Sequence, residues 1–259
     1  MIKYFFLIVL LNSAYFLSGQ ELPDDVGIDE KLDEFVDLDL KFTDHKGETK
    51  SLSEFIGEKP TVISIVYYRC PGICNTLLAG MRDVIERSDL EPGTDYNALS
   101  ISMAHNETWD LARDKKINYL EGMERRIQEG AWDWVVGDSL AVNEFTKSVG
   151  FKFKRQEFEE GVIDYLHQGA LIFVSPKGKI TRYLMGTDFL PFDFKMAVVE
   201  SAKGNSMPTV NRILSICFKY DPEGRGYVLN FTRIFGGIFT LMLIVFISWL
   251  VFSKKPVRR

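Results

Sequence analysis

Two cysteines, Cys70 and Cys74, are the residues of this chain whose type and spacing most directly indicate chemistry. They bracket the tripeptide Pro-Gly-Ile, at the point where an apolar, strand-like run ends and a helix-like pattern begins. A helix N-terminus stabilises a thiolate, which is both a nucleophile and a soft metal ligand. The pair therefore predicts a metal site or a redox-active dithiol, with a structural disulfide as the alternative.

Alternating strand and helix patterns surround the dithiol. Strands are predicted at 61–68, 97–102 and 132–136, and helices at 75–87, 108–120 and 139–149. Thr108 and Ser139 are the predicted N-caps of the last two helices. A hairpin is predicted over 170–183 and a final helix over 192–202. Strands that alternate with helices in this way predict a layered α/β domain.

Both ends of the chain are predicted to be targeting or anchoring segments. Residues 1–20 combine one lysine, a short apolar run and small residues, which predicts a signal peptide cleaved near Gln20, with an uncleaved anchor as the alternative. The 19 residues Ile234–Phe252 carry no charge and are long enough to span a bilayer as a helix. The basic tail, 253–259, is then expected in the cytoplasm. We therefore expect a single-pass protein of the inner membrane, with its soluble domain on the periplasmic side.

Three further segments lie between these ends. Residues 21–40 are acidic and are predicted to be a solvated leader, 41–202 the α/β domain, and 203–233 a juxtamembrane linker. The net charge of −5, with no basic stripe, argues against a nucleic-acid partner. A hydrophobic content of 46% with 26% charged residues is typical of a globular protein that carries a membrane segment.

The combination of motifs resembles the Sco/SenC family of copper-handling proteins. The resemblance is carried by Cys70-Pro-Gly-Ile-Cys74, by the stretch Ser100–Thr108, and by Asp164-Tyr-Leu-His167 ahead of the strand Ala170–Ser175. It covers about residues 40–202 and implies a thioredoxin-like fold. It also implies one copper ion, Cu(I) or Cu(II), bound by Cys70, Cys74 and His167. Two thiolates and an imidazole form a soft donor set that suits this metal.

The implied function is that of a membrane-anchored metallochaperone without turnover. Its implied client is the copper centre of cytochrome c oxidase or of a similar respiratory enzyme. The chain departs from the commoner family pattern at Gly72, where many relatives carry Asp, and at Asn75, where they carry Pro. The predicted C-terminal anchor is a third departure, since the better-known relatives have an N-terminal one.

The same cysteines allow a different function. Cys70 and Cys74 would be the catalytic pair of a thiol-disulfide oxidoreductase that keeps a client's copper-binding cysteines reduced. His167 distinguishes the two hypotheses, because copper binding needs it and disulfide exchange does not. A peroxidase-like enzyme is a weaker alternative, because Tyr67, Tyr68 and Arg69 precede Cys70 where such enzymes carry Thr.

The remaining residues of these types have simpler interpretations. His45 is expected to be solvated in a turn, and His105 is not expected to be a ligand. Met81 and Met103 are predicted core residues. Cys217 is the odd cysteine; its apolar neighbours favour a buried small hydrophobe over a copper relay or a link to a partner.

Overall fold

The computed structural model describes residues 25–70, 72–157, 163–207, 218–221 and 226–229, together with Met242 and Phe246. The strands are β1 Gly27–Ile28, β2 Lys41–Asp44, β3 Thr49–Ser51, β4 Thr61–Val66, β5 Asn97–Ser102, β6 Trp132–Val136, β7 Phe151–Lys152, β8 Lys154–Glu157, β9 Ile163–Leu166, β10 Ala170–Val174, β11 Ile180–Met185, β12 Phe218–Asp221 and β13 Gly226–Leu229. The helices are α1 Leu52–Ile56, α2 Ile73–Arg87, α3 Trp109–Leu120, α4 Ser139–Ser148 and α5 Pro191–Ala202.

Seven of the strands form one mixed sheet in the order β11-β10-β4-β5-β6-β2-β3. Strands β4, β5 and β6 are parallel neighbours, whereas β10 runs antiparallel to β4 and β2 antiparallel to β6. All six residues of β4 are buried, as expected for a central strand with both faces covered. The result is a thioredoxin-like α/β fold, as the sequence predicted. Parallel strands place their C-terminal ends at one edge, so the loops after β4 and β5 lie side by side.

The core is built from the apolar faces of the helices and the buried strands. In α2, Leu77, Leu78 and Met81 are fully buried. Met81 lies about one helical turn after the two leucines, so the three side chains share one face of the helix. Met103, directly after β5, is 1% exposed, so the prediction that both methionines are core residues is confirmed. Burying one such side chain stabilises the fold by about 1.5–3 kcal/mol.

The described part of the acidic leader differs from the solvated segment that we expected. Val26 and Val36 are buried, and β1 pairs antiparallel with β7 of the domain. Apolar side chains lie between the acidic residues and can reach the core. The prediction of a solvated leader considered only the acidic residues and therefore missed them. Three exposed carboxylates of this segment form ion pairs with basic residues of the domain: Asp25–Lys154, Asp29–Lys152 and Asp33–Lys179.

The predicted element boundaries agree closely with the structure, with one clear exception. Thr108 is the N-cap of α3, as predicted. Ser139 is not the cap of α4: Asp138 occupies that position and accepts a 2.8 Å hydrogen bond from the amide of Ala141. Asp and Ser are both strong N-cap residues, so composition alone does not choose between neighbours.

Residues Met207–Arg259 form a separate compact unit. Within it, β12 and β13 pair in antiparallel fashion, and both strands lie in the predicted linker. No helix within the described residues is both long enough and apolar enough to cross a bilayer. The predicted signal peptide 1–20 lies outside the described residues, and so does the predicted span Ile234–Phe252 apart from Met242 and Phe246, which are helical.

Candidate metal centre

The dithiol lies in the connection from β4 to α2. Cys70 follows the end of β4 by four residues, and Cys74 is the second residue of α2. Both are free thiols; Cys70 is 4% exposed and Cys74 is completely buried. Gly72 and Ile73, between them, are exposed. The loop therefore presents its backbone to solvent while both sulfur atoms face the protein, with Cys70 the nearer to solvent.

His167, which is 93 residues away in the chain, contacts the dithiol. It follows β9, and its Nε2 lies 3.0 Å from the Sγ of Cys74. Its Nδ1 lies 3.1 Å from the carbonyl oxygen of Gln168, and the ring packs against Phe151. A backbone carbonyl on one ring nitrogen orients the other, which is how metal-binding histidines are commonly held. The three residues singled out from the sequence thus meet at one edge of the sheet.

The two sulfur atoms differ in their tendency to ionise. A hydrogen bond from Cys74 lowers the pKa of Cys70 to about 4, with further hydrogen bonds from His167 and from the amide of Gly72 acting in the same direction. Burial, and then the hydrogen bond to Cys70, raises the pKa of Cys74 above its ordinary value. The metal-free pair is therefore a thiolate on Cys70 stabilised by a protonated thiol on Cys74.

Glu107, which we did not single out from the sequence, fixes the approach to the dithiol. Its carboxyl group is buried and accepts hydrogen bonds from the amides of Tyr68 (2.7 Å) and Arg69 (2.8 Å). The hydroxyl of Ser102 donates to the same group at 2.7 Å. Glu107 thereby ties the residues just before Cys70 to the end of β5. Its position immediately before the Thr108 N-cap is the one sequence signal that could have marked it.

Asn75 holds the other side of the loop. Its side-chain amide donates to the carbonyl of Cys70 at 2.9 Å, and its side-chain oxygen accepts from Lys115 at 2.8 Å. The hydroxyl of Tyr119 donates to the backbone carbonyl of Asn75 at 3.0 Å. These contacts connect the thiol loop to α3, and the two that use the Asn75 side chain depend on its amide group.

Tyr67 and Asp164 connect the strand before the dithiol to the strand before His167. The Tyr67 hydroxyl donates a hydrogen bond to the carboxylate of Asp164. Burial, and then this contact with Asp164, raises the pKa of Tyr67. The pair fixes β9 against the end of β4, and so helps to bring His167 to the thiols.

The donor set fits a soft metal. Two sulfur atoms and one imidazole nitrogen match the preference of Cu(I), and Cu(II) also accepts imidazole. In the described part of the chain, no group of three or more His, Cys, Asp or Glu side chains is arranged closely enough to coordinate a metal ion without adjustment. The contacts are those of a hydrogen-bonded dithiol and imidazole.

The other candidate residues lie elsewhere. His45 was expected to be solvated but is 8% exposed, because the β2–β3 turn folds against α3 and buries its ring. His105 is exposed, in the loop after β5. Cys217 lies outside the described residues.

Comparison with known proteins points to one family. The SCO1/SenC family model matches residues 29–193 of this chain. The chain is 27% identical over 164 residues to the SCO1 protein homolog of Bacillus subtilis (strain 168), a match that covers 62% of this chain and 79% of that protein.

Two solved structures show the same fold. Arabidopsis thaliana ScoI, solved with copper bound, has a TM-score of 0.51 and 15% identity, covering 63% of this chain and 96% of its own. BsSco, described as having a disulfide switch and as a member of the Sco family of cytochrome c oxidase assembly proteins, has a TM-score of 0.51 and 22% identity, covering 68% of this chain and 97% of its own.

Proposed function

The chain belongs to the SCO1/SenC family, and on that premise we propose that it is a copper metallochaperone. It binds one copper ion as cargo through Cys70, Cys74 and His167. It then delivers the ion to a respiratory copper enzyme, of which cytochrome c oxidase is the leading candidate. The reaction is ligand exchange: the Cys74 thiol loses its proton to solvent when the ion binds, and regains one when the ion leaves.

One observation carries this proposal: His167 Nε2 lies 3.0 Å from Cys74 Sγ. A disulfide oxidoreductase has no need of a buried imidazole against its thiols, whereas a copper site needs a third donor of this kind. The low pKa of Cys70 supports binding as well, because the ligand is the thiolate and little free energy is needed to ionise it.

The arrangement also suits release of the ion. Cys70 lies nearer to solvent than Cys74, and the exposed Gly72 and Ile73 leave the loop open to an incoming protein. An incoming thiolate or imidazole would replace the Cys70 thiolate first, and His167 and Cys74 afterwards. The transfer therefore proceeds one ligand at a time, with the ion never free in solution.

Metal binding by the reduced full-length protein tests this directly. We expect one Cu(I) per chain in the wild type, strongly weakened binding in His167→Ala, and no stoichiometric binding in Cys70→Ser or Cys74→Ser. His105→Ala is the matched control, because His105 is exposed and lies outside the site. Equal affinity in His167→Ala and His105→Ala would exclude the three-ligand site.

A second candidate function is reduction of a client disulfide, favoured by the contrast between the two thiols. The Cys70 thiolate would attack one sulfur of the client disulfide, giving a mixed disulfide and a free client thiol. Deprotonated Cys74 would then attack Cys70 Sγ and release the second client thiol. Two electrons pass from the dithiol to the client, and Cys70–Cys74 becomes a disulfide.

The two functions differ in what rescues their loss. In cells that lack the gene, added copper should partly restore terminal oxidase activity if delivery is the defect. Rescue by an exported thiol reductant, with no effect of copper, would support disulfide reduction instead. Unchanged oxidase activity under copper limitation would exclude the oxidase as client.

We also propose that the protein is anchored, with a signal peptide at 1–20 and a single span at Ile234–Phe252. A periplasmic domain tethered by the segment 203–233 would have a high local concentration at membrane-bound copper enzymes. In intact cells, a tag at Arg259 should resist protease while the copper domain is cleaved once the outer barrier is opened. A domain that fractionates with the cytosol would refute this topology.

A further inference from the structure

A cavity lined by both charged and apolar side chains lies apart from the dithiol. It has a volume of about 600 Å³ and opens between the β2–β3 turn, the second half of α3 and the residues just before β6. Volumes of this size are typical of small-molecule sites. The dithiol loop follows the C-terminal end of β4, whereas three of the residues that line this cavity, 127–129, lie just before β6. Helix α3 lies between the two sites: Lys115 and Tyr119 hydrogen-bond Asn75 beside the dithiol, and Lys116 lines the cavity.

Lys116 is the central cation of this cavity. Its side chain is only 12% exposed, and its Nζ donates to the Nε2 of His45 at 3.0 Å. The nearest carboxylate, Asp133, is 3.9 Å away, beyond hydrogen-bonding distance. Burial lowers the pKa of Lys116, in contrast to the raised pKa of ion-paired Lys46. A largely buried ammonium without a hydrogen-bonded counter-ion is unfavourable unless an anion supplies one.

His45 adds a second unsatisfied group. Because its Nε2 accepts from Lys116, the ring proton is on Nδ1. That Nδ1 is buried and has no hydrogen-bond partner among the described residues; the Asp133 carboxylate lies 3.7 Å from it. The carboxylate of Asp44 is already engaged by the amides of Lys46 and Glu48 and by the ammonium of Lys50.

The remaining lining residues define what would fit. Lys46 forms an ion pair with Glu129, and Arg113, at the rim, is paired with Asp114, so Lys116 is the lining cation that lacks a hydrogen-bonded carboxylate. Glu121 is the other lining carboxylate and is exposed at the end of α3. The rest of the wall is largely apolar, formed by Ile117, Leu120 and Ile127. The cavity thus combines cationic donors at one side with a hydrocarbon surface at the other.

We propose that this cavity binds a small organic anion: a carboxylate, phosphate or sulfonate group carried on an apolar body. The anionic group hydrogen-bonds Lys116, and the apolar body packs on Ile117 and Leu120. This inference is independent of the copper proposal, since it uses none of the residues of the dithiol site.

Phenyl phosphate, inorganic phosphate and phenol are suitable probes, titrated into the full-length protein by calorimetry. Phenyl phosphate should bind at one saturable site, more tightly than inorganic phosphate, which lacks the apolar body, and than phenol, which lacks the charge. Lys116→Met should weaken phenyl phosphate binding at least tenfold. Lys195→Met is the matched control, because Lys195 is an exposed lysine paired with Asp89 outside the cavity.

Thermal unfolding gives an independent readout. Phenyl phosphate should raise the Tm of the wild type and of Lys195→Met but not that of Lys116→Met. If Lys116→Met does not fold, Lys46→Met is tested in its place. Removing the half-exposed Lys46 leaves the Glu129 carboxylate without its ion pair, so that Glu129 repels an anion in the cavity. Phenyl phosphate binding by Lys46→Met should then be several-fold weaker than binding by the wild type. The proposal would be overturned if phenol bound as tightly as phenyl phosphate, or if neither phenyl phosphate nor inorganic phosphate showed saturable binding. Equal affinity of the wild type and Lys116→Met for phenyl phosphate would overturn it as well.

Discussion

Removing the thiol of Cys74 should raise the pKa of Cys70. In the metal-free, reduced protein that pKa is about 4, and the hydrogen bond from Cys74 is its main cause. A hydrogen bond to a charged group contributes about 1.5–3 kcal/mol, and one pKa unit corresponds to about 1.36 kcal/mol. The Cys74→Ala variant should therefore show a Cys70 pKa about 1–2 units higher. It should stay below the ordinary value of about 8.5, because the contacts with His167 and with the Gly72 amide remain.

The rate of alkylation of Cys70 by iodoacetamide, followed by mass spectrometry from pH 3 to pH 9, measures this shift. Cys74→Ser is the matched control, since its hydroxyl retains a donor and should move the pKa less than alanine does. An unchanged midpoint in Cys74→Ala would refute the assigned hydrogen bond. A wild-type midpoint near 8.5 would refute the stabilised thiolate altogether.

The same pKa makes a prediction about stability. Because the folded-state pKa of Cys70 is lowered, the unfolded chain binds more protons than the folded protein between pH ~4 and ~8.5. The contribution of Cys70 to the free energy of unfolding is complete above the unfolded pKa and is lost as the pH falls through about 4. Between pH 5 and 8, the wild type should gain stability with pH relative to Cys70→Ala, as measured by urea unfolding. Parallel curves would contradict the linkage.

Three further predictions concern the scaffold, each measured as the free energy of unfolding in urea. Glu107→Gln replaces one acceptor oxygen with an NH₂ group that faces backbone donors, and should lower the free energy of unfolding by about 1–3 kcal/mol. A variant as stable as the wild type would show that the carboxyl group does not hold the loop. Asp138→Ala should cost about 1 kcal/mol through loss of the N-cap, whereas Ser139→Ala should be close to neutral; the reverse order would restore Ser139 as the cap. Gly80→Ala would place a methyl group against the backbone carbonyl oxygen of Thr187, and this overpacking should cost about 1–3 kcal/mol, more than the helix-propensity gain of about 1 kcal/mol. A stabilised variant would contradict this close packing.

The sequence predicted the central strands and the four longer helices, but not the short elements β1, β3, β7, β8, β9 and α1. The apolar run at β4 and the alternation at β5 predicted these strands, and β5 and the short strand β6 have the predicted bounds. Helical spacing located α2 and α3 to within two residues. These signals are readable because the periodicity of buried side chains reflects the backbone geometry of each element. The dithiol was equally visible, because its chemistry depends on two residues only four positions apart.

Only the tertiary structure decided which distant residues meet. His167 was singled out by resemblance, but its contact with Cys74 depends on β9, on the Tyr67–Asp164 hydrogen bond and on the order of strands in the sheet. Glu107 and the burial of His45 had no comparable signal, since a single polar residue has no periodicity and its burial is set by what packs over it. Likewise, Val26 and Val36 join the domain because the folded sheet offers them apolar surface, which a count of acidic residues along the chain does not register.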